Sequence, residues 1–349
     1  MDFTCPVETL QRHCIDLLVA TGVSVKEAEM VTTILIDTSL EGIDTHGISR
    51  LPAYLSCLNE GRINAQPQIK IVKSGAVAKV DGDNGLGQLV SATSMSVALD
   101  LADEFGIGLA VTRRSNHFGA SSYYCKIAAQ RGMIGVVFTN APPAMPPWGG
   151  KSAYFGTNPI AFGFPNAGFP VTADLASSQV ARGKIILAAK EGRAIPLGWA
   201  IDKDGRETTD AQAAIAGGAV LPLGGAKGYA LAMAIEVMTG ILSGSAYGNE
   251  VGFIYDGNKE PADVSHSFIA LDVSRIMPVN LFLERMDGMI GGVKSVPLAD
   301  GADAIRIPGE KRYKTFQARM KGGIPIRSAV LNELRQIAST LGVKRLECS

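Results

Sequence analysis

The stretch Gly82-Asp83-Asn84-Gly85-Leu86-Gly87 decides which kind of nucleotide-binding fold the sequence can adopt. It lies between a predicted strand (77–81) and a predicted helix (88–105), where a dinucleotide-binding protein carries its glycine-rich phosphate loop. The spacing here is GxxGxG, whereas the Rossmann fingerprint is GxGxxG, followed about 20 residues later by an acidic residue. The acidic residues at that distance, Asp100 and Asp103, fall inside the predicted helix. The sequence therefore excludes a Rossmann phosphate loop here.

Outward from this loop, short strands follow one another, and several are adjacent without a helix between them. Parallel neighbours need a long crossover connection, so such strands favour antiparallel pairing. We predict strands at 69–72, 77–81, 108–112, 135–139, 160–164, 171–174 and 267–272, and a hairpin at 199–208. We predict helices in the first 60 residues, the second opened by a capping box at Ser24, and further helices at 88–105, 121–131, 228–242, 279–291 and 327–341. The predicted fold class is α/β with an α+β character, built on a non-Rossmann, mixed and largely antiparallel sheet.

The composition is that of a globular chain with balanced charge. Of 349 residues, 46% are hydrophobic, and Lys+Arg and Asp+Glu number 33 each. A nucleic-acid-binding protein usually has a basic excess, so no nucleic-acid partner is expected. No apolar stretch is long enough for a membrane helix, and the N-terminus has no basic signal region, so we predict a cytoplasmic protein without a membrane partner. The zero net charge fits a homo-oligomer that buries surface.

The five cysteines are odd in number and widely spaced. This pattern favours reduced thiols over disulfides or structural zinc. No paired Cys/His spacing and no HExxH motif occurs, so we predict no metal site.

One candidate site combines a histidine, a guanidinium and a phenol at helical spacing. If the segment is helical throughout, His46, Arg50 and Tyr54 share one face; if the helix begins after an N-cap at Ser49, Arg50 and Tyr54 still do. These groups suit a small carboxylate that carries an adjacent carbonyl. The alternative is a solvated helix face with a hydrogen-bonded histidine.

A second candidate is His117, in a segment between a predicted strand and a predicted helix. Functional residues are often found on such loops, and a histidine can exchange a proton near neutral pH. The alternative is a helix-capping loop whose histidine merely bonds the backbone.

Three more segments have the chemistry to contact a cofactor. Gly225 and Lys227 open a predicted helix, whose N–H groups can meet an anion; the alternative is helix packing beside a solvated lysine. Residues 140–150 are too rich in proline for a strand or helix, and form either a functional wall or an interface loop. Asp174 ends a predicted strand, and helix capping is the alternative there.

Five motifs in a fixed order carry a family resemblance. They are DTHGISRLPAYL (44–55), SNHFGASSYY (115–124), PPWGGKSAYFGTNPIAFGFP (146–165), DLASSQVARGKI (174–185) and LPLGGAKGYAL (221–231). Together they resemble the type-2 malate/L-lactate dehydrogenases, a family that includes ureidoglycolate dehydrogenase, sulfolactate dehydrogenase, 2,3-diketogulonate reductase and piperideine-2-carboxylate reductase. The resemblance implies a helical domain from residues 1–70 and 300–349, a mixed-sheet cofactor-binding domain from 71–299, and a homodimer or larger homo-oligomer with the active site near a subunit interface.

The resemblance also implies residue roles. His117 matches the general acid/base, and His46 is a second catalytic candidate. His46, Arg50 and Tyr54 match the substrate-side cluster, to which the same motif adds Thr45. The implied cofactor positions are Asn140, Ala141, Asp174, Leu175, Ala176, Gly225 and Lys227. Many relatives have serine at the position of Ala141, so a hydroxyl contact is lost here.

The predicted function is hydride transfer between NAD or NADP, with NAD preferred, and C2 of a small 2-hydroxy or 2-oxo acid of the malate, lactate or sulfolactate type. Ureidoglycolate and cyclic imino acids are the alternatives within the family. More distant alternatives are a non-catalytic ligand-binding protein and a metal-free lyase that uses the two histidines.

Overall fold

The computed structural model describes residues 2–254 and 260–348. The strands are β1 (Asp2–Cys5), β2 (Lys70–Ser74), β3 (Val77–Asp81), β4 (Ile107–Ser115), β5 (Met133–Thr139), β6 (Ile160–Phe164), β7 (Val171–Leu175), β8 (Ala200–Ile201), β9 (Glu207–Thr208), β10 (Ala219–Val220), β11 (Val264–Asp272) and β12 (Ile324–Arg327). The helices are α1 (Val7–Ala20), α2 (Val25–Leu40), α3 (Leu51–Asn59), α4 (Gly87–Phe105), α5 (Ser121–Gln130), α6 (Arg182–Lys190), α7 (Ala211–Ile215), α8 (Ala226–Glu236), α9 (Val279–Ser295), α10 (Glu310–Gly322) and α11 (Ser328–Leu341). Within these two ranges, no helix is both long and apolar enough to cross a membrane.

A seven-stranded sheet with the order β2-β3-β4-β11-β5-β6-β7 organises the structure. β3 and β4 pair in parallel, and the other neighbouring pairs are antiparallel. The predicted mixed, largely antiparallel sheet is therefore confirmed. β11 comes from a distant part of the chain, yet it lies between β4 and β5, where Phe268 stands opposite Ala110 on one side and Val137 on the other.

Helical segments cover both faces of this sheet. Neighbouring residues of a strand point to opposite faces. On β11, the buried Phe268 packs into a cluster with Leu99 of α4 and Tyr124 of α5. The next residue towards the N-terminus, Ser267, donates its hydroxyl to the carbonyl of Met238, in a π-helical turn that continues α8. α4 and α5 therefore lie on one face, and the end of the α8 segment lies on the other.

The two ends of the chain meet in a second hydrophobic cluster. β1 pairs with β12 in antiparallel fashion, and α1, α2, α3 and α11 bury their apolar faces together. Buried members include Leu10, Leu35, Leu55 and Leu331. On this basis we keep the division into a helical domain of the chain ends (1–70 with 300–349) and a mixed-sheet domain (71–299) as a proposal.

The chain ends are also joined covalently. Cys5 and Cys348 form a disulfide, with their Cα atoms 4.7 Å apart. The prediction that all thiols are reduced is therefore wrong for this pair. Nothing local in the sequence links two cysteines 343 positions apart, and the pairing of β1 with β12 is what anchors the N-terminal one near the C-terminal segment. Cys14, Cys57 and Cys125 are free and buried.

Most helices and strands were predicted from local sequence signals, whereas the others depend on packing between distant segments. Ser24 caps α2 by accepting from the N–H of Glu27, as the capping box predicts. The predicted helix 228–242 instead begins at Ala226 and changes to the π-helical turn at Val237. β1, β10, β12, α7 and α10 were not predicted. α10 has only Glu310 buried, so it lacks the apolar periodicity from which a helix is recognised.

Candidate active site

Many of the predicted site residues lie at or just after the carboxyl ends of three strands of the large sheet. β4, β5 and β7 run in the same direction, because β11 is antiparallel to β4 and β5, and β6 is antiparallel to β5 and β7. Their carboxyl ends therefore lie at the same edge. After β4 comes the acid–base loop (residues 115–119), after β5 comes the cofactor loop (residues 140–158), and Asp174 lies near the end of β7.

The glycine segment 82–87 supports the acid–base loop. Gly87 lies so close to this loop that a Cβ would come 2.2 Å from the carbonyl oxygen of Asn116 and 2.4 Å from that of His117. Asn116 also donates its side-chain amide to the carbonyl of Gly85, at 2.9 Å. A glycine at 87 is needed because any side chain there would displace the loop that carries His117.

His117 is flanked by Tyr54 and His46. The hydroxyl of Tyr54 and Nδ1 of His117 are 2.5 Å apart. The rings of His46 and His117 stack at an interplanar angle of 28°, with their centroids 5.6 Å apart. The fold thus brings together three residues that were predicted from two separate motifs. Because Tyr54 is fully buried, its hydroxyl is held beside the imidazole by the packing of α3.

The segment that holds His46 is not helical throughout. His46 lies in a turn, a 3-10 turn covers Ile48–Arg50, and α3 begins at Leu51. A helix that is continuous from His46 is therefore wrong. The reason is Pro52, which lacks an N–H and is accommodated only in the first turn of a helix. The alternative start after Ser49 correctly leaves His46 in a turn and Pro52 in the first helical turn, but α3 begins one residue later, with Arg50 as its N-cap.

Thr45 contacts both of its functional neighbours. Its hydroxyl lies 2.9 Å from Nδ1 of His46. Its backbone carbonyl accepts from Nε of Arg50, at 2.5 Å. An imidazole and a guanidinium are thereby fixed on one short turn.

Burial and nearby cations lower the pKa of both histidines. The pKa of His46 falls to about 4, mainly through burial and then through the charge of Arg50. Asp174 opposes this shift, and Arg312 adds to it. The pKa of His117 lies well below its usual 6.5, through burial first and then through His46 and Arg50. Both rings are therefore neutral at neutral pH, the state in which imidazole can accept a proton.

Asp174 and Arg312 complete the polar surroundings. Oδ2 of Asp174 accepts from the backbone N–H of Ser122, at 3.1 Å, and Nη1 of Arg312 lies 3.6 Å from the same oxygen. That nitrogen is buried and makes no hydrogen bond to any part of the chain that the structure describes. Sequence reasoning missed Arg312 because α10 was not predicted and because Arg312 lies beyond the last of the five motifs, which ends at residue 231.

A buried carboxylate holds the cofactor loop. Glu236, at the end of α8, accepts from the side-chain amides of Asn140, at 3.3 Å, and Asn158, at 2.6 Å. Oδ1 of Asn158 accepts from the backbone N–H of Ala141, at 3.2 Å. Because the amide of Asn140 points to Glu236, any contact of Asn140 with a cofactor would come from its backbone. Sequence reasoning did not assign Glu236, although a lone carboxylate within an apolar stretch was the available signal.

The start of α8 presents Lys227 beside a glycine turn. Lys227 is exposed. Gly225 has a φ of +66°, and a Cβ there would come 2.9 Å from the ring of Trp148, so only glycine fits. The free N–H groups of a helix's first turn, together with a lysine, are a donor set that suits a phosphate.

The end of β7 lies against the same turn. Leu175 is exposed and Ala176 is half-buried. The N–H of Leu223 donates to the carbonyl of Ser177, at 2.9 Å. The predicted cofactor residues after Asp174 therefore adjoin those that open α8. Throughout residues 2–254 and 260–348, no group of three His, Cys, Asp or Glu side chains is arranged to hold a metal ion.

Comparisons with known proteins agree on one family. Residues 5–335 match the family described as malate/L-lactate dehydrogenase. A malate dehydrogenase of Pyrococcus horikoshii is 37% identical over 349 residues, which cover 98% of this chain and 96% of that protein. An L-sulfolactate dehydrogenase of Methanocaldococcus jannaschii is 39% identical over 340 residues, 96% of each chain. The solved structure of malate dehydrogenase from Pyrococcus horikoshii superposes with a TM-score of 0.91 at 35% identity, covering 99% of this chain and 97% of that one.

Proposed function

The chain belongs to the malate/L-lactate dehydrogenase family, and from that membership we propose that it transfers a hydride between NAD(P) and C2 of a small 2-hydroxy or 2-oxo acid of the malate or sulfolactate type. The observation that carries the proposal is the contact of Tyr54 with His117, 2.5 Å between hydroxyl and Nδ1, beside the stacked ring of His46. This arrangement provides a neutral base with a fixed partner on its far nitrogen.

His117 is the residue that we assign to proton transfer. When its Nδ1–H donates to the oxygen of Tyr54, Nε2 keeps a lone pair that can accept the proton of a substrate hydroxyl. The phenol oxygen still accepts from Nδ1–H once the ring is protonated, and so stabilises the new charge. In the reverse reaction the same ring returns the proton to the oxygen on C2.

Arg50 is the residue that we assign to the substrate carboxylate. A guanidinium can bind both carboxylate oxygens at once, and the Thr45 carbonyl already fixes its direction. His46, which is neutral and stacked on His117, is assigned to orienting the oxygen on C2.

The cofactor, when bound, supplies the hydride acceptor or donor. The turn at Gly225 and the exposed Lys227 would hold its phosphates, because first-turn N–H groups and a lysine fit an anion. Leu175, Ala176 and the backbone of the cofactor loop at Ala141 would lie along it. Glu236 keeps that loop in place without contacting the cofactor.

A second cation near the histidines favours substrates with two acidic groups. Arg50 and Arg312 both lower the pKa of His46, so both lie near it, and the carboxylate of Asp174 opposes them. The buried Nη1 of Arg312 makes no hydrogen bond within the described chain. A second carboxylate or a sulfonate would satisfy this nitrogen, whereas lactate or a cyclic imino acid would not.

We extend the proposal to assembly and location. α9 (Val279–Ser295) has no buried residue, although Leu281, Met289 and Val293 on it are apolar and exposed. A helix with an uncovered apolar face supports assembly into a homodimer or larger homo-oligomer. The cytoplasm is the proposed location, although the Cys5–Cys348 disulfide is a feature that an oxidising compartment favours.

The test is a substrate panel with purified protein. Malate, sulfolactate, lactate and ureidoglycolate are each offered with NAD and NADP, cyclic imino acids are offered with NADH and NADPH, and absorbance at the nicotinamide band is followed. We expect turnover of the dianionic acids, which His117→Ala lowers roughly 10²–10⁴-fold in kcat. Arg312→Gln should lower kcat/KM for malate more than for lactate.

The outcomes separate the alternatives. Turnover only with ureidoglycolate or a cyclic imine would replace the substrate class and keep the hydride transfer. Equal losses for malate and lactate in Arg312→Gln would remove the second-cation argument. No change in nicotinamide absorbance with any compound of the panel would overturn the proposed function.

A further inference from the structure

His266 lies on the central strand of the sheet, at the end of the sheet where the proposed site residues lie. It is fully buried near the start of β11, the strand between β4 and β5. Its partners in the sheet are Thr112 and Thr139, and a register shift between Val264 and His266 breaks the ladder with β4. Because β11 is antiparallel to its neighbours, its start adjoins the ends of both, where the acid–base loop and the cofactor loop begin.

Both ring nitrogens of His266 contact hydroxyl groups, one on each neighbouring strand. Nδ1 lies 2.8 Å from Oγ1 of Thr139, and Nε2 lies 2.9 Å from Oγ of Ser115. Thr139 donates its own proton to backbone carbonyls, that of Asn140 at 2.9 Å and that of Ser265 at 3.2 Å. Its oxygen must therefore accept from Nδ1–H, which leaves Nε2 to accept from the hydroxyl of Ser115.

The face of the same ring packs against the acid–base loop. The rings of His266 and Phe118 are parallel to within 2°, with their centroids 4.5 Å apart. Ser115 lies two residues before His117, and Phe118 lies one residue after it. His266 thus contacts the loop on both sides of the proposed acid/base.

The preceding residue of β11 holds the other loop. The N–H of Ser265 donates to Oδ1 of Asn140, at 2.9 Å, and the N–H of Asn140 donates to the carbonyl of Ser265, at 3.3 Å. With the contact from His266 to Thr139, two successive residues of β11 bind the last residue of β5 and the first residue of the cofactor loop.

We propose that His266 is a positioning residue that fixes the acid–base loop and the cofactor loop relative to each other through its two ring nitrogens and its stacked face. The proposal rests on the proposed function for the roles of the two loops. The positioning role requires a flat side chain that donates a hydrogen bond at one edge and accepts one at the other, and a neutral imidazole has these properties. Burial lowers the pKa of His266 to about 3, so the ring keeps this neutral form at ordinary pH.

Three substitutions separate the two contacts. In His266→Asn, an amide nitrogen takes the place of Nδ1 and keeps the contact with Thr139, while the contact with Ser115 is lost. In His266→Gln, the amide reaches the place of Nε2 and keeps Ser115, while Thr139 is lost. His266→Phe keeps the stacked ring and loses both hydrogen bonds. The matched control is His13→Asn, which changes a buried histidine of α1 in the cluster of the chain ends.

We expect the three variants to affect kcat and the dissociation constant for the cofactor differently. The asparagine variant should lose on the order of 10- to 100-fold in kcat, since small misplacements of a reacting group cost rates of that size. Its dissociation constant for the cofactor should stay near that of the wild type. The glutamine variant should raise that dissociation constant about tenfold, the cost of one hydrogen bond, with a smaller loss of kcat. The phenylalanine variant should show both changes, and His13→Asn neither.

An NMR measurement that does not depend on turnover tests this proposal separately from the proposed function. In protein labelled with ¹⁵N-histidine, NMR should report a proton on Nδ1 of His266 in the wild type. The ring signals of His117 should shift in His266→Asn and stay in place in His13→Asn. If no substrate is turned over while these signals behave as expected, the proposed function fails and the coupling of the loops stands.

Two results would overturn the positioning role. One is a proton on Nε2 of His266 in the wild type. The other is His266→Phe with wild-type kcat, cofactor affinity and His117 signals per folded molecule, since a merely structural histidine would change only the melting temperature.

Discussion

Tyr54→Phe removes one oxygen from the centre of the proposed proton path. Tyr54 is fully buried in the cluster of the chain ends, so phenylalanine retains its packing, and the loss is the hydroxyl 2.5 Å from Nδ1 of His117. A hydrogen bond to a charged group contributes about 1.5–3 kcal/mol. If that amount stabilises the protonated ring, kcat for oxidation of the hydroxy acid should fall roughly 10- to 150-fold.

The pH dependence of the oxidation rate shows whether the hydroxyl of Tyr54 raises or lowers the pKa of His117. Oxidation requires neutral His117, so the rate falls as pH drops through the pKa of this ring, which lies well below 6.5. A phenol oxygen that accepts from Nδ1–H favours the protonated ring. Its removal should lower the pKa further, and the acid limb of kcat/KM should move to lower pH.

A matched variant controls for lost packing. Tyr124 is also fully buried, and its hydroxyl donates at 2.6 Å to the carbonyl of Phe118, which lies in the acid–base loop, and not to the imidazole of His117. Tyr124→Phe should lower the melting temperature but leave the acid limb in place. The reasoning is refuted if Tyr54→Phe keeps wild-type kcat, or if its acid limb moves to higher pH, which would mean that the phenol donates to Nδ1.

Four other changes have expected outcomes. Arg50→Lys should keep cofactor affinity but lower kcat/KM roughly 10- to 150-fold in steady-state assays, because lysine cannot bind both carboxylate oxygens; if it prefers the acid over the corresponding amide as strongly as the wild type does, the anchor lies elsewhere. Glu236→Gln should weaken cofactor binding about tenfold in a fluorescence titration, since an amide nitrogen would face the donors that the carboxylate accepts; unchanged binding contradicts this. Gly87→Ala should cost about 1–3 kcal/mol of unfolding free energy in calorimetry and lower kcat as well, and normal turnover would show that the acid–base loop tolerates displacement. Cys348→Ser should cost about 2–5 kcal/mol in denaturant unfolding. Thiol titration of unfolded, unreduced wild type should find only the three free cysteines, and five would contradict the disulfide with Cys5.

The parts of the fold that were predictable are those with a local cause. Ser24 caps α2 with its own side chain, and β3 and β6 have the predicted bounds because each is a short apolar-rich run that is followed by a turn-forming residue, Gly82 or Pro165. The absence of GxGxxG correctly excluded a Rossmann sheet. The family resemblance of the five motifs then pointed to the residues that lie around His117 in the structure.

The remainder depended on contacts between distant segments. The glycine segment 82–87 looks like an anion-binding turn, and only its proximity to Asn116 and His117 shows that it supports a loop. Arg312 lies on a polar helix without periodicity. Glu236 interrupts an apolar stretch, where sequence alone does not distinguish a buried network from a solvated face. Each of these roles is defined by a partner far along the chain.

The position of β11 has a consequence for the order in which the protein can assemble during translation. β4 and β5 are complete by Thr139, but the strand that joins them begins at Val264. Until then, the emerging polypeptide presents two strands with open hydrogen-bonding edges, a state that invites association with other chains. Contacts of such large sequence separation also form slowly. A ribosome-bound chain that stops before Val264 should therefore have no activity and should depend on chaperones, and maturation of the enzyme should coincide with the insertion of this strand.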